Sequence, residues 1–99
     1  MEKRKVIWSQ RATIKLFEIL EFYSNRNKSK TYSTKLYKRF IKELSQLQKQ
    51  PNLGKATDID SIRGLIVEDF ILFYEIKEDS IVVHTVWDCH QNPEDLRIK

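Results

Sequence analysis

The sequence predicts an α+β domain with the element order βααβββ. Apolar residues recur every three or four positions between residues 12 and 47, as on one face of a helix, and at every second position between residues 62 and 88, as in strands. About five polar residues separate the two helical runs, which favours an antiparallel hairpin. Ninety-nine residues suffice for one domain with a small core, so residues 1–99 are interpreted as a single domain.

The first half contains a short strand and two helices. Lys5–Ser9 is rich in β-branched and aromatic residues and predicts a strand, after which the Ser9 hydroxyl can cap a helix. A break is expected at residues 25–29, and the second helix should end at Gln50 and Pro51, since proline cannot continue it. The apolar helix faces consist of Ala12, Leu16, Ile19, Leu20 and Tyr23, and then of Tyr32, Leu36, Tyr37, Phe40, Ile41, Leu44 and Leu47.

The second half predicts an antiparallel meander of three strands, Ile62–Val67, Phe70–Lys77 and Ile81–Asp88, joined by acidic two-residue turns. The central strand is apolar on both faces, with Ile71 and Phe73 on one face and Phe70, Leu72, Tyr74 and Ile76 on the other. The helices should cover one of these faces, which leaves a second face. That second face therefore needs a cover of its own, which could be the C-terminal tail, a second subunit or a bound partner segment.

Composition excludes several classes of protein. The single cysteine, Cys89, rules out an internal disulfide and a CxxC zinc module, and two histidines without ligand spacing predict no metal site. No apolar run reaches the length of a membrane span, and no signal-peptide core follows Met1, so a cytoplasmic protein is expected.

Charge divides the chain into a basic and an acidic half. Residues 1–55 hold fourteen Lys and Arg against four Asp and Glu, whereas residues 56–99 hold four against ten. This asymmetry suggests that the N-terminal elements meet an acidic partner, either nucleic acid or an acidic protein segment. The alternative, that the two helices are simply lysine-rich and solvated, stays open.

The order and spacing of several short motifs resemble those of the RelE/ParE superfamily, toxins of bacterial type II toxin–antitoxin (plasmid stabilisation) modules. The closing motif, with Trp87, Asp88, Gln91, Asn92 and Pro93, is most similar to the ParE-type branch. The other matching pieces are Val6-Ile7-Trp8-Ser9-x-x-Ala12, Pro51-x-x-Gly54, Ile62-Arg63-x-Leu65-x-Val67, Ile71-x-Phe73-Tyr74-x-Ile76 and Ile81-x-Val83-x-x-Val86.

The resemblance implies a fold and a function. The fold is a helical hairpin on a small, twisted, mainly antiparallel sheet, with the first strand beside the meander. The function is that of a toxin that inhibits DNA gyrase without a cofactor and is neutralised by a cognate antitoxin, which alone would contact operator DNA. A homodimer or a toxin–antitoxin heterotetramer stays open. The expected antitoxin-facing residues are Leu16, Leu20, Leu36, Phe40, Ile71 and Phe73.

Two alternatives accompany this reading. The RelE-type branch cleaves mRNA on the ribosome, for which Arg63, His84 and His90 are the candidate catalytic residues. Against this, Ile71 and His90 occupy positions where that branch commonly has arginine, and the acidic sheet half opposes a polyanion. Each candidate also has a structural explanation: a salt bridge for Arg63, a strand position shared with Val82 and Val86 for His84, and backbone capping for His90. The second alternative is an inactive homologue that serves mainly as an antitoxin-binding co-repressor.

Overall fold

A computed structural model describes residues 4–90 of the chain. Its elements confirm the predicted α+β class and add a 3₁₀ turn and a two-residue strand between the second helix and the meander. In chain order they are β1 (Lys5–Trp8), α1 (Gln10–Asn27), α2 (Thr31–Leu47), the 3₁₀ turn (Pro51–Leu53), β2 (Lys55–Ala56), β3 (Ile62–Val67), β4 (Phe70–Ile76) and β5 (Ser80–Asp88).

The strands form one five-stranded sheet in the order β1-β5-β4-β3-β2. The meander β3-β4-β5 is antiparallel, β2 pairs antiparallel with β3, and β1 pairs parallel with β5, with Val6 beside Ile81. The sheet is therefore mainly antiparallel with the first strand beside the meander, as expected.

Ser9 begins α1 and also fixes the helix to the sheet. Its Oγ accepts a hydrogen bond from the N–H of Ala12 at 3.1 Å, the capping role predicted for it. The same hydroxyl donates to the carbonyl of His84 at 3.0 Å. The helix continues to Asn27, three residues into the predicted break, and ends at Lys28, which adopts the left-handed conformation with φ of 52°.

Two serines allow the helices of the hairpin to approach each other closely. The Oγ atoms of Ser24 and Ser33 are 2.7 Å apart, and Ser33 Oγ also lies 2.8 Å from the carbonyl oxygen of Leu20, to which it donates. Ser33 is buried, so these bonds satisfy a hydroxyl that would otherwise lose its solvation.

The main core lies between the hairpin and one face of the sheet. Phe40 of α2 and Phe70 of β4 meet edge to face with ring centroids 5.5 Å apart. Its fully buried members share the helix-facing positions of the strands and the inner faces of both helices, and include Ala12, Leu36, Phe40, Leu44, Leu47, Phe70, Leu72, Tyr74, Ile81 and Val83.

A β-bulge changes the alternation along β5. Phe73 pairs with Thr85 but Tyr74 pairs with Val83, so His84 is an extra residue on this strand. Val83 and Val86 consequently both face the helices and are almost completely buried. The expectation that His84 shares a face with Val86 is therefore wrong, because the bulge moves Val86 into the core.

The opposite face of the sheet carries a second, smaller apolar cluster of Ile62, Phe73 and Trp87, with Ile71 packed against it. This confirms that the central strand is apolar on both faces. Ile66 on the same face of β3 is 60% exposed. The C-terminal tail from residue 91, one of the covers expected for this face, lies outside the described residues.

Candidate functional site

The main concave apolar surface is a groove of about 580 Å³ between α1 and α2, on the side away from the sheet. Phe17 and Leu20 line it from α1, and Tyr37 lines it from α2. Phe17 is 62% exposed and Tyr37 43% exposed, so two aromatic rings lie open to water in the same depression. We call this surface the hairpin groove; the Ser24–Ser33 contact lies within its lining.

The local fold explains why these residues line a groove. Phe17 is one residue beyond Leu16 and three before Leu20, so it lies at the edge of the buried face of α1 rather than at its centre. Tyr37 has the same relation to Leu36 and Phe40 on α2. The polar rim includes Glu21 and Lys30, of opposite charge.

The six residues expected to face an antitoxin separate into three groups. Leu16, Leu36 and Phe40 are at most 5% exposed and pack in the core of this chain, so the structure assigns them to folding rather than to an open surface. Leu20 is half-buried and lines the hairpin groove. Ile71 and Phe73 belong to the cluster on the opposite face of the sheet, away from the helices.

Neither Tyr37 nor Phe17 was among the six residues expected to face an antitoxin, and Phe17 was not assigned to the apolar helix faces either. Its position is out of phase with the apolar stripe of α1, and a single exposed phenylalanine on a helix carries little information. The residue that could have indicated Phe17 is Tyr37, which has the same position relative to the buried face of α2 as Phe17 has relative to that of α1.

The three candidate catalytic residues do not converge. Arg63 pairs across the strands with Tyr74 on the helix-facing side of the sheet. Its guanidinium donates to the carbonyls of Gly54, at 2.7 and 3.0 Å, and of Asn52, at 3.2 Å. The expected salt bridge to Asp58, Asp60 or Glu68 is replaced by these backbone contacts, which hold the 3₁₀ turn.

His84 lies on the other side of the sheet, where its Nε2 is 2.8 Å from Oε1 of Glu75. His90 lies beyond the end of β5, and its backbone N–H and its Nδ1 are each 2.9 Å from Oδ1 of Asp88. No common point is thus flanked by the guanidinium and both imidazole rings, as general acid–base cleavage of RNA by these three residues would require.

A smaller cavity of about 390 Å³ lies between the outer flank of α1 and the end of β5. Tyr23 donates a long hydrogen bond of 3.5 Å to Oδ2 of Asp88 there, and Phe22 and His90 complete the wall. Burial raises the pKa of Tyr23, and the negative charge of Asp88 raises it further. Burial is also the main cause of the raised pKa of Tyr32, whose ring centroid is 5.2 Å from that of Tyr23. These tyrosines remain protonated at neutral pH.

Within residues 4–90, no three His, Cys, Asp or Glu side chains come together as metal ligands. No helix in that range is both long and apolar enough to cross a membrane.

Comparison with known proteins gives one family and one fold. A family model described as the ParE toxin of the type II toxin–antitoxin system parDE matches residues 6–93. A solved structure titled as a chromosomal ParDE TA system from P. aeruginosa superposes with a TM-score of 0.75 at 17% identity, covering 87% of this chain and 96% of that one. At 17% identity, this superposition establishes that the two chains share a fold. A search of curated protein sequences finds no significant match.

Proposed function

The chain belongs to the ParE toxin family of type II toxin–antitoxin systems, and from this premise we propose that it binds DNA gyrase in the bacterial cytoplasm and thereby stops replication. The family match over residues 6–93 is the observation that carries this proposal. The scattered positions of Arg63, His84 and His90 support a toxin that acts by binding, since they offer no assembled centre for RNA cleavage.

The hairpin groove is the proposed binding site of the cognate antitoxin. An antitoxin segment that folds on binding loses conformational entropy, and burial of its apolar side chains in a depression of the toxin offsets that loss. Phe17, Leu20 and Tyr37 provide that depression, and two of the three are already exposed in the free toxin. Lysines flank the groove at the hairpin turn, which suits an amphipathic helix with an acidic outer face. Operator DNA would be bound through the antitoxin in the resulting complex.

The target is tested by inducing the chain in a bacterial host and pulse-labelling DNA and protein synthesis within minutes. The proposal expects DNA synthesis to fall first, and expects the purified chain to inhibit supercoiling by gyrase at micromolar concentration. An earlier fall of protein synthesis would point to the ribosome instead. No growth defect at all would favour the inactive, co-repressor reading.

The antitoxin site is tested separately by Phe17→Ala, with Phe22→Ala as the matched control. Both side chains are exposed phenylalanines of α1, at 62% and 53%, but Phe22 lines the smaller cavity on the other flank of the helix. Loss of a buried interface aromatic should weaken binding of the antitoxin encoded beside the toxin by about 10- to 100-fold, roughly 1.4–2.8 kcal/mol. Equal weakening by both variants would place the antitoxin elsewhere, without bearing on gyrase.

A further inference from the structure

The outer face of α2 carries a row of lysines that neither the fold nor the hairpin groove uses. Lys35, Lys38 and Lys42 are spaced three and four residues apart, so they lie on one side of the helix, and Lys49 continues that side just after the helix ends. All four are exposed. We call these four residues the lysine row.

The charges of the lysine row are not neutralised within the structure. Arg39, four residues after Lys35 and therefore beside the row, pairs with Glu43 at 3.1 Å and with Glu68 at 3.8 Å. In contrast, no carboxylate of residues 4–90 lies within 4 Å of the ammonium groups of the row. Four unpaired ammonium groups on one helix face repel one another, so an external polyanion that neutralises them would bind favourably.

The rest of the molecule directs a polyanion to this side. Residues 56–90, which form most of the sheet, contain eight Asp and Glu but only two Lys and Arg. The helix layer and the sheet layer therefore present opposite signs of charge. A negatively charged rod approaching the chain is attracted to the outer face of α2 and repelled from the meander.

The dimensions of the lysine row suit a stiff, evenly charged partner. From Lys35 to Leu47, its last residue, the helix advances about 18 Å, at about 1.5 Å per residue, and Lys49 follows two residues later. One strand of duplex DNA presents a phosphate about every 3.4 Å of its axis, so the row lies alongside about six phosphates. Single-stranded nucleic acid is usually bound on stacked aromatic rings, whereas the exposed aromatic ring of α2, Tyr37, faces the hairpin groove instead.

We propose that the lysine row binds the phosphate backbone of duplex DNA directly and without sequence preference. This contact is separate from the operator contact made through an antitoxin, and it leaves the hairpin groove free. It requires neither catalysis nor gyrase, so it is measured on the purified chain alone.

The experiment is a fluorescence-anisotropy titration of a labelled 20-base-pair duplex of arbitrary sequence, at several salt concentrations between 50 and 200 mM. Four released counterions predict a slope of about −3.6 for log K against log salt, which corresponds to an affinity loss of about 150-fold over that range. Replacing the four lysines of the row by glutamine should flatten the slope by about 3.6 units, to near zero. Glutamine keeps the helix propensity, so the fold should survive.

The control variant removes the same number of charges from other sides of the chain, by Lys5→Gln, Lys15→Gln, Lys55→Gln and Lys77→Gln. The proposal expects it to retain most of the wild-type slope. Equal flattening in both variants would show an effect of net charge and would overturn the proposal. It would also be overturned if a single-stranded oligonucleotide or poly-L-glutamate bound as tightly as the duplex.

Discussion

Replacement of Tyr74 by phenylalanine tests how the chain leaves the helical hairpin and enters the sheet. The Tyr74 ring is fully buried on β4, and its hydroxyl donates to the carbonyl of Pro51 at 2.7 Å and accepts from the N–H of Gly54 at 2.9 Å. One side chain thus fixes both ends of the 3₁₀ turn. Phenylalanine keeps the ring in the core and removes only the oxygen.

The expected loss of stability follows from those two bonds. The donated bond contributes about 1 kcal/mol net, and a buried backbone N–H left without an acceptor costs about 1–3 kcal/mol. The sum for Tyr74→Phe is about 2–4 kcal/mol, which for a chain of this size lowers Tm by about 8–30 °C.

The assay is urea unfolding followed by circular dichroism, with Tyr37→Phe as the control. Tyr37 is 43% exposed in the hairpin groove, so removal of its hydroxyl should change the free energy of unfolding by no more than about 0.5 kcal/mol. If Tyr74→Phe were as stable as Tyr37→Phe, the hydroxyl would not hold the turn and the reasoning would be refuted.

Three further predictions concern stability. Gly54→Ala should lower the free energy of unfolding by about 1–3 kcal/mol, because a Cβ there would lie 2.7 Å from the ring and hydroxyl of Tyr74 and 2.8 Å from the Gly64 carbonyl oxygen. Gly64→Ala should cost less, because the nearest atoms to its Cβ would be side-chain atoms of Ile71, at 3.1 Å, and of Phe73, at 3.5 Å; thermal unfolding of the two variants checks this order. Ser9→Ala should lower the free energy of unfolding, measured in urea, by about 1–2 kcal/mol. A Ser9→Ala variant as stable as the wild type would show that the cap is dispensable. The pKa values of Tyr23 and Tyr32 are raised, so the folded state holds their phenolic protons more tightly than the unfolded state does. The stability that these two protons contribute is therefore complete below pH 10 and is lost as the pH rises further. The free energy of unfolding should fall less between pH 8 and pH 10.5 when both residues are phenylalanine, and an equal fall would contradict this.

The regular elements could be predicted from the sequence because their periodicity is strong. The predicted bounds of β3 are the observed ones, and those of β4 and β5 differ by one residue. The strand Lys55–Ala56 was missed because two residues cannot show a period of two. The bulge at His84 was missed because an extra residue changes which side chains face the core without altering the apolar composition of the strand.

The candidate site was harder to predict than the fold, for a physical reason. An apolar helix face shows that Leu16, Leu36 and Phe40 are buried, but the sequence does not show whether the sheet or a partner buries them. Here the sheet does. The open groove is formed by Phe17 and Tyr37 at the margins of those faces, so it becomes visible only when the two helices are placed side by side. The placement of β1 beside the meander likewise followed from the family resemblance rather than from any residue pattern, and its parallel pairing with β5 was not predicted.

The position of β5 has a consequence for the folding of the chain during its synthesis on the ribosome. This strand lies between β1 and β4, so β1 is connected to the rest of the sheet only through it. It is nevertheless synthesised after every other element described. The attachment of α1 to the sheet also requires β5, because the backbone N–H and the hydroxyl of Ser9 donate to the carbonyls of Val83 and His84. We expect the nascent chain to remain without its native sheet until β5 emerges, since contacts so distant in sequence close last. A ribosome that stalls before codon 80 therefore releases no folded toxin.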